Sequence, residues 1–381
     1  MTETAVERPR LHLDLPKPAQ IVHPIEHLWG WMAVTDRSLP VSAQVGEVVL
    51  PCARIDRGGA GRIGFSVYVD LSLLPVGPVV EIVLRCGVDR MLLALAVTDE
   101  AWVLAAEVAA NRVVKAAFLA AHVPGLQHQA GLRAAAHLPL GWRLSPRLED
   151  KLDAVSSHLY AAPMLEFLNG FNDTQFILDA GAGLRKRPQR NVINLEIYDY
   201  PSTDILSTGQ SLPFADGTFD AVLSIAVLEH VDDPMTCAAE ILRVLKPGGL
   251  VFASVPFLQP EHGYPSHYFN ATRFGLRRLF QGADLVHHGV PDGVNHPIQT
   301  LHRVAALYAA GLGAAREEFL DLSLRDLLAT TPQALLRQAV PFVTELDEDA
   351  RWKLAYATSA TFRKRQESRG VSHPPDPPWD I

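Results

Sequence analysis

The most constraining feature of the chain is an ordered series of short elements between Phe176 and Phe257. It opens with Phe176-Ile177-Leu178-Asp179-Ala180-Gly181-Ala182-Gly183, an apolar run closing on an acid and a glycine-rich turn. An apolar run of this length, bounded by glycines, reads as a buried parallel strand. A second run, Val192-Ile193-Asn194-Leu195, ends at Glu196. Leu212-Pro213-Phe214 and Phe219-Asp220 then lead into an apolar strand from Ala221 to Ile225, followed by Leu228-Glu229-His230-Val231. A helix comes next, with Asp232 or Asp233 as its cap, Pro234 in its first turn and Ala238, Ile241, Leu242 and Leu245 on one apolar face. Pro247-Gly248-Gly249 stops it before a strand from Leu250 to Val255. Strand, helix, strand in this order implies parallel pairing through right-handed crossovers.

This series resembles the class I S-adenosylmethionine-dependent methyltransferases, of the small-molecule type (methyltransferase type 11-like), over residues 150 to 290. A lone glycine-rich turn fits a nucleotide-binding dehydrogenase equally well; the Leu-Pro-Phe and Leu-Glu-His elements favour the methyltransferase. The resemblance implies a Rossmann-like, doubly wound, mostly parallel α/β sheet, with S-adenosylmethionine as cofactor. Ligands of open parallel sheets bind beyond the carboxyl ends of the strands, near the switch in strand order. By resemblance, Asp179, Gly181 and Gly183 meet the amino-acid half of the cofactor, with Ala226 close to the same half. Glu196 accepts the two ribose hydroxyls, and the backbone at Ser211 and Leu212, or Gln210, faces the adenine. Two departures stand out. Only twelve residues separate Gly183 from Glu196, too few for a full helix and a strand. Thr208 stands where the family often has an acid near the adenine. Arg185, Lys186 or Arg187 offers positive charge in place of the missing helix terminus, with a solvated loop as the plainer reading.

Methyl transfer to oxygen requires alignment of acceptor and methyl and a group to take the hydroxyl proton. Histidine suits that task near neutral pH. His230 follows the fourth strand, and the loop Glu261-His262-Gly263-Tyr264-Pro265-Ser266-His267-Tyr268-Phe269-Asn270 follows the fifth at the same edge. His230, His262, His267 and Tyr264 are the catalytic candidates, with a structural hydrogen bond as the competing role for His230. A metal held by Glu261, His262 and His267 is the lesser alternative, and no metal is expected. Loops of this kind in related enzymes favour a small-molecule or saccharide acceptor and O-methylation, in polysaccharide or secondary-metabolite modification.

Upstream, residues 1–98 carry short β-rich runs separated by Pro and Gly, from His27–Val34 to Met91–Val97. Arg62 to Val69 alternates as a half-exposed antiparallel strand does. A small sandwich-like module that folds separately is expected there. Residues 99–148 form an alanine-rich helix, with Asp99 as its cap, and a linker. A helix from Leu148 to Leu168 opens the methyltransferase domain at 149–296; a helical annex at 297–368 and a loose tail at 369–381 follow. The alternative to an enzyme is a catalytically weak scaffold whose β-module binds a glycan or protein partner.

Composition narrows the classes further. At 381 residues, 48% hydrophobic and 20% charged, the chain is an ordinary folded protein with room for two or three domains. A net charge of −8 without an extended basic block disfavours nucleic acid as a partner. Three cysteines without metal-ligand spacing read as reduced, buried thiols. The acidic N-terminus lacks a signal-peptide core. The helix around Ala101–Val123, broken by Glu107, Asn111, Arg112 and Lys115, is too polar to span a bilayer. A cytoplasmic location is expected.

Overall fold

The computed structural model describes residues 11–16, 19–55, 61–123, 134–135, 159–263, 266–290, 296–338 and 340–355. The chain divides into two compact units, Met1–Leu301 and His302–Ile381. Most of the expected linker at 124–148, the first part of the helix expected from Leu148, the tail at 369–381 and Tyr264 lie outside the described residues.

The first unit begins with nine strands in two sheets. One has the order β1-β3-β7-β6, built from β1 (Leu11–Leu15), β3 (Ile25–Ala33), β6 (Cys52–Ile55) and β7 (Arg62–Asp70). The other runs β2-β9-β8-β4-β5, from β2 (Gln20–Ile21), β4 (Val41–Val45), β5 (Val48–Leu50), β8 (Val79–Cys86) and β9 (Asp89–Val97). Their apolar faces share one core, with Leu28, Met32, Ile63, Phe65 and Val67 from the first sheet against Ile82, Leu84 and Leu95 from the second. β8 alternates buried and exposed positions, as a strand with one wet face must. β7 does not: the expected half-exposed strand is buried on both faces. Its outer face carries Ser66 and Tyr68, and Tyr68 stacks on His27 at 4.6 Å and meets Tyr200 edge-on at 5.5 Å. Tyr200 belongs to the parallel-sheet domain, so the alternation conceals an interface.

Helix α1 (Asp99–His122) connects the two layers. Thr98, one residue before the expected Asp99, is the N-cap, its side chain accepting from the Ala101 N–H. Two of the polar residues that break the helix are structural. Arg112 pairs with Asp70 of β7 and donates to the Pro201 carbonyl at 2.9 Å. Lys115, only 3% exposed, donates to Asp204 at 2.7 Å. The end of the helix, Phe118 and Leu119, packs on Leu178 and Ile193. None of the described helices is long and apolar enough to cross a membrane.

The second layer is a six-stranded parallel sheet of order β10-β13-β12-β11-β14-β15. Its strands are β10 (Ala134–Ala135), β11 (Ile177–Ala180), β12 (Val192–Glu196), β13 (Ile205–Leu206), β14 (Phe219–Ile225) and β15 (Leu245–Ser254). The chain runs outward from β11 to β13, then returns to β14 on the other side of β11. The switch in strand order therefore falls between β11 and β14. Helix α2 (Ala162–Leu168) covers one face through Met164 and Leu168 against Ile177, Ala221 and Leu223. Helix α3 (Pro234–Val244), capped by Asp233, covers the other through Ile241 and Val244. β15 begins at Leu245 rather than Leu250. Phe219 pairs with Leu245 and Ala221 with Leu250, so Pro247-Gly248-Gly249 forms an irregularity within the strand rather than a turn before it. A short helix α4 (Arg273–Leu279), capped by Thr272, follows.

Helix α5 (Pro297–Ala310) leads into the second unit, which continues with five short helices between Arg316 and Leu354. Leu312, Ala315 and Phe342 form its small core, and the Tyr308 hydroxyl donates to the Phe342 carbonyl at 2.9 Å.

Candidate active site

Adjacent parallel strands end on one edge of the sheet with Asp179 near the end of β11, Glu196 closing β12 and Ala226 one residue beyond β14. Asp179 is fully buried. Its Oδ2 accepts from the Tyr160 hydroxyl at 2.7 Å and from Arg185 Nε at 3.0 Å and Nη2 at 2.9 Å. The guanidinium also lies over the Tyr160 ring, 4.3 Å from its centroid. Burial alone would lower the Arg185 pKa, but the charge of Asp179 and the contacts with Asp179 and Tyr160 together outweigh it and hold the group more firmly protonated than usual. Burial, with Asp179 beside it, keeps the Tyr160 hydroxyl neutral. Asp179 Oδ1 is buried and has no hydrogen-bond partner among the described residues.

The glycine turn leans back on β12. The N–H groups of Gly181 and Ala182 both donate to the Leu195 carbonyl at 3.0 Å, and the Gly183 N–H donates to Glu196 Oε1 at 2.8 Å. Gly181 has φ +86°, and a Cβ there would sit 2.3 Å from Val227 Cγ2, so the turn and the segment after β14 approach only because the side chain is absent. Glu196 Oε2 accepts from the Ile197 N–H at 2.7 Å. Burial pushes the Glu196 pKa up, opposed by these backbone donors. No helix stands between β11 and β12, as their short spacing requires. Three of the four basic residues in that gap are paired with acids: Arg185 with Asp179, Lys186 with Glu26 of β3, and Arg187 with Glu100 at 3.2 Å.

Ala226 has φ +54°, the one positive φ at a non-glycine residue among those described. Its N–H donates to the Ser254 carbonyl at 2.9 Å. A non-glycine residue held in this region costs energy and clusters at functional sites. Ser211 is exposed, whereas Leu212 gives both backbone groups to α3: its N–H donates to Glu240 Oε2 and its carbonyl accepts from Arg243 Nη2, each at 2.9 Å. Sequence reasoning assigned Leu212 to the adenine without seeing this commitment, which depends on side chains some thirty residues away.

His230, His262 and His267 come together past the ends of β14 and β15. Their ring centroids lie 5.4 Å (His230–His262), 5.7 Å (His230–His267) and 4.5 Å (His262–His267) apart. Carbonyl oxygens only accept, so the hydrogen bonds assign the tautomers. His230 Nδ1–H donates to the Ser266 carbonyl at 2.8 Å and His262 Nδ1–H to the Pro260 carbonyl at 2.9 Å, leaving the lone pair of each ring on Nε2. His267 is the reverse. Its Nδ1 accepts from the His262 backbone N–H at 3.2 Å, and its Nε2–H is directed at the Phe269 carbonyl and Asn270 Oδ1, each at 3.1 Å. Burial lowers the His230 pKa, so the ring is neutral near pH 7. The loop is tied to the sheet through the Glu229 carbonyl, which accepts from the Tyr268 N–H at 2.7 Å. Glu229 itself went unremarked as a site residue in the sequence, since an acid inside Leu-Glu-His reads as part of a motif; its side chain is fully buried.

A parallel sheet with an acid at each of two adjacent strand ends and a strained residue beyond a third defines a Rossmann-like nucleotide-cofactor fold. Residues 178–253 match the family described as "Methyltransferase domain". Three curated relatives agree with it by name. Uncharacterized methyltransferases of Mycobacterium tuberculosis and Mycobacterium bovis are each 38% identical over 128 residues, covering 31% of this chain and 47% of theirs. One from Mycobacterium sp. (strain KMS) is 44% identical over 73 residues, covering 18% and 29%. The chain thus spans about half the length, or less, of the curated relatives it matches. Among solved structures, an S-adenosylmethionine-dependent methyltransferase from Mesorhizobium loti aligns at TM-score 0.25 and 15% identity, covering 40% of this chain and 91% of that one. Residues 178–253 are thus similar to a methyltransferase domain, and S-adenosylmethionine is the cofactor such a domain implies. The strand ends fit it: Asp179 Oδ1 is a buried acceptor awaiting a donor, which an ammonium provides. Glu196 retains lone pairs beyond those its backbone donors use.

Proposed function

We propose that the protein transfers a methyl group from S-adenosylmethionine to a hydroxyl oxygen of a small molecule or saccharide. The observation that carries the reading is the common edge: Asp179, Glu196 and Ala226 end neighbouring strands, and the three histidines follow the same edge. The cofactor supplies a methyl group already activated on a sulfonium, so the chain's own work is to bind, orient and manage one proton. Asp179 and Glu196 bind, with Gly181 and Gly183 letting the backbone approach. Arg185 and Tyr160 hold Asp179 in its orientation. The acceptor lies under the 261–270 loop, where Nε2 of His230 and of His262 present lone pairs toward its hydroxyl proton and His267 braces the His262 backbone. Tyr264 and Tyr268 of the same loop supply rings suited to stacking on a sugar face.

The test is calorimetric titration of the full chain with S-adenosylmethionine, followed by a screen of metabolite extracts for turnover to S-adenosylhomocysteine. Binding with acceptor-dependent turnover supports the reading. A folded chain that binds no cofactor overturns it in favour of a scaffold.

A further inference from the structure

We propose that Glu229, His230 and His262 form a binding site for one divalent transition-metal ion of the zinc or manganese class. One donor atom from each of the three residues lies within 4.8 Å of the others. His230 Nε2 and Glu229 Oε1 are 3.8 Å apart, close to the roughly 3.4 Å between donors around a tetrahedral ion with bonds of about 2.1 Å. The site deepens the methyl-transfer reading, because it lies at the sheet edge where that reading puts the acceptor.

Three independent features support it. The first is the carboxylate. Glu229 is fully buried, and neither of its side-chain oxygens has a hydrogen-bond partner among the described residues. A buried acid without donors is costly unless it is neutralised or meets a cation. The second is the imidazole arrangement. His230 and His262 each donate Nδ1–H to a backbone carbonyl, which places the Nε2 lone pair opposite. A hydrogen bond from the far ring nitrogen to a carbonyl is the one that orients and strengthens metal-ligating histidines. The third is the backbone that packs the site. Gly263 has φ +80°, and a Cβ there would lie 2.3 Å from His230 Cε1, so the loop closes on the ring only with glycine at this position. His267 stays outside the ligand set, because its Nδ1 already accepts from the His262 N–H.

Two imidazoles and one carboxylate suit zinc, manganese or ferrous iron better than magnesium or calcium. Three protein ligands leave a coordination position for water or an acceptor hydroxyl; with both Nε2 lone pairs then on the ion, the two histidines do not take the acceptor proton themselves but hold the cation that makes it easier to remove.

The probe is Zn²⁺ alone, added to the chelator-stripped full chain in competition with a chromophoric chelator, without cofactor or acceptor. One equivalent is expected to bind. Glu229→Gln and His262→Ala should each weaken binding at least tenfold, whereas His287→Ala and His288→Ala, on an exposed segment, should not. Absence of a stoichiometric site in the wild type, or unchanged affinity in both ligand variants, overturns the proposal and leaves Glu229 a buried neutral acid. Should either variant misfold, the visible spectrum of the Co²⁺-loaded wild type decides. Intense bands of a low-coordinate nitrogen–oxygen site support the assignment, and the spectrum of the hydrated ion overturns it. Since no step uses the methyl donor, metal binding without turnover discredits only the methyl-transfer reading, and turnover without metal binding discredits only this site.

Discussion

Arg185 Nη2 lies 2.9 Å from Asp179 Oδ2, and both side chains are almost wholly buried. A residue from the glycine turn therefore reaches back to hold the acid that opens the turn. Removing one partner of a buried pair strands the other charge, which typically costs about 3–5 kcal/mol. Arg185→Met is expected to destabilise the chain by that order in denaturant unfolding. Arg185→Lys should lose less, keeping the charge but not the two-point contact. A Met variant as stable as wild type would mean that the buried pair adds nothing to stability.

Glu196→Ala should weaken S-adenosylmethionine binding tenfold or more, equivalent to about 1.4 kcal/mol. The same change releases the Gly183 and Ile197 N–H groups. Circular dichroism must first establish that the variant is folded. An unaltered dissociation constant in a folded variant would remove Glu196 from the cofactor site.

Replacing His230 or His262 by alanine should lower turnover by about 10²–10⁴-fold, the usual contribution of a group that handles the acceptor proton. Cofactor affinity should stay near the wild-type value, because both rings lie beyond the strand-end acids. Steady-state rates with an acceptor from the extract screen, set beside calorimetry, separate the two effects. Equal losses in both would mean that the loop closes over the cofactor instead.

Gly181→Ala places a methyl group 2.3 Å from Val227 Cγ2 at φ +86°. Strain at such a position costs on the order of 1–3 kcal/mol. The variant should melt several degrees lower, and Gly181→Ala combined with Val227→Ala should recover part of the loss. No recovery would place the strain in the backbone angle rather than in the contact.

Much of the parallel domain was legible because its signals are local. Apolar runs ending in Asp179 and Glu196 and the Asp233 cap each depend on residues a few positions apart, and each element stands within a residue or two of its expected place. The start of β15 at Leu245 is hidden for a local reason as well: Pro-Gly-Gly reads as a turn unless the neighbouring strand is known to absorb an irregularity. The alternation in β7 reads as a wet face, because no pattern within the strand reveals that tyrosines from another domain cover it.

The sequence by itself determined the strand order's building blocks, the acids at the strand ends and the density of histidine in the 261–270 loop, since apolar periodicity and turn chemistry act over short stretches. Only the tertiary structure decided which charges those acids meet. Lys186 pairs with Glu26 across 160 positions of chain, Lys115 with Asp204 across 89, and the Tyr68–Tyr200 contact joins the β-module to the parallel sheet. It also decided that Glu229 faces inward beside His230 and His262. An ion pair or a buried acid takes its energy from the dielectric and the donors around it, and those are set only when distant segments have packed together.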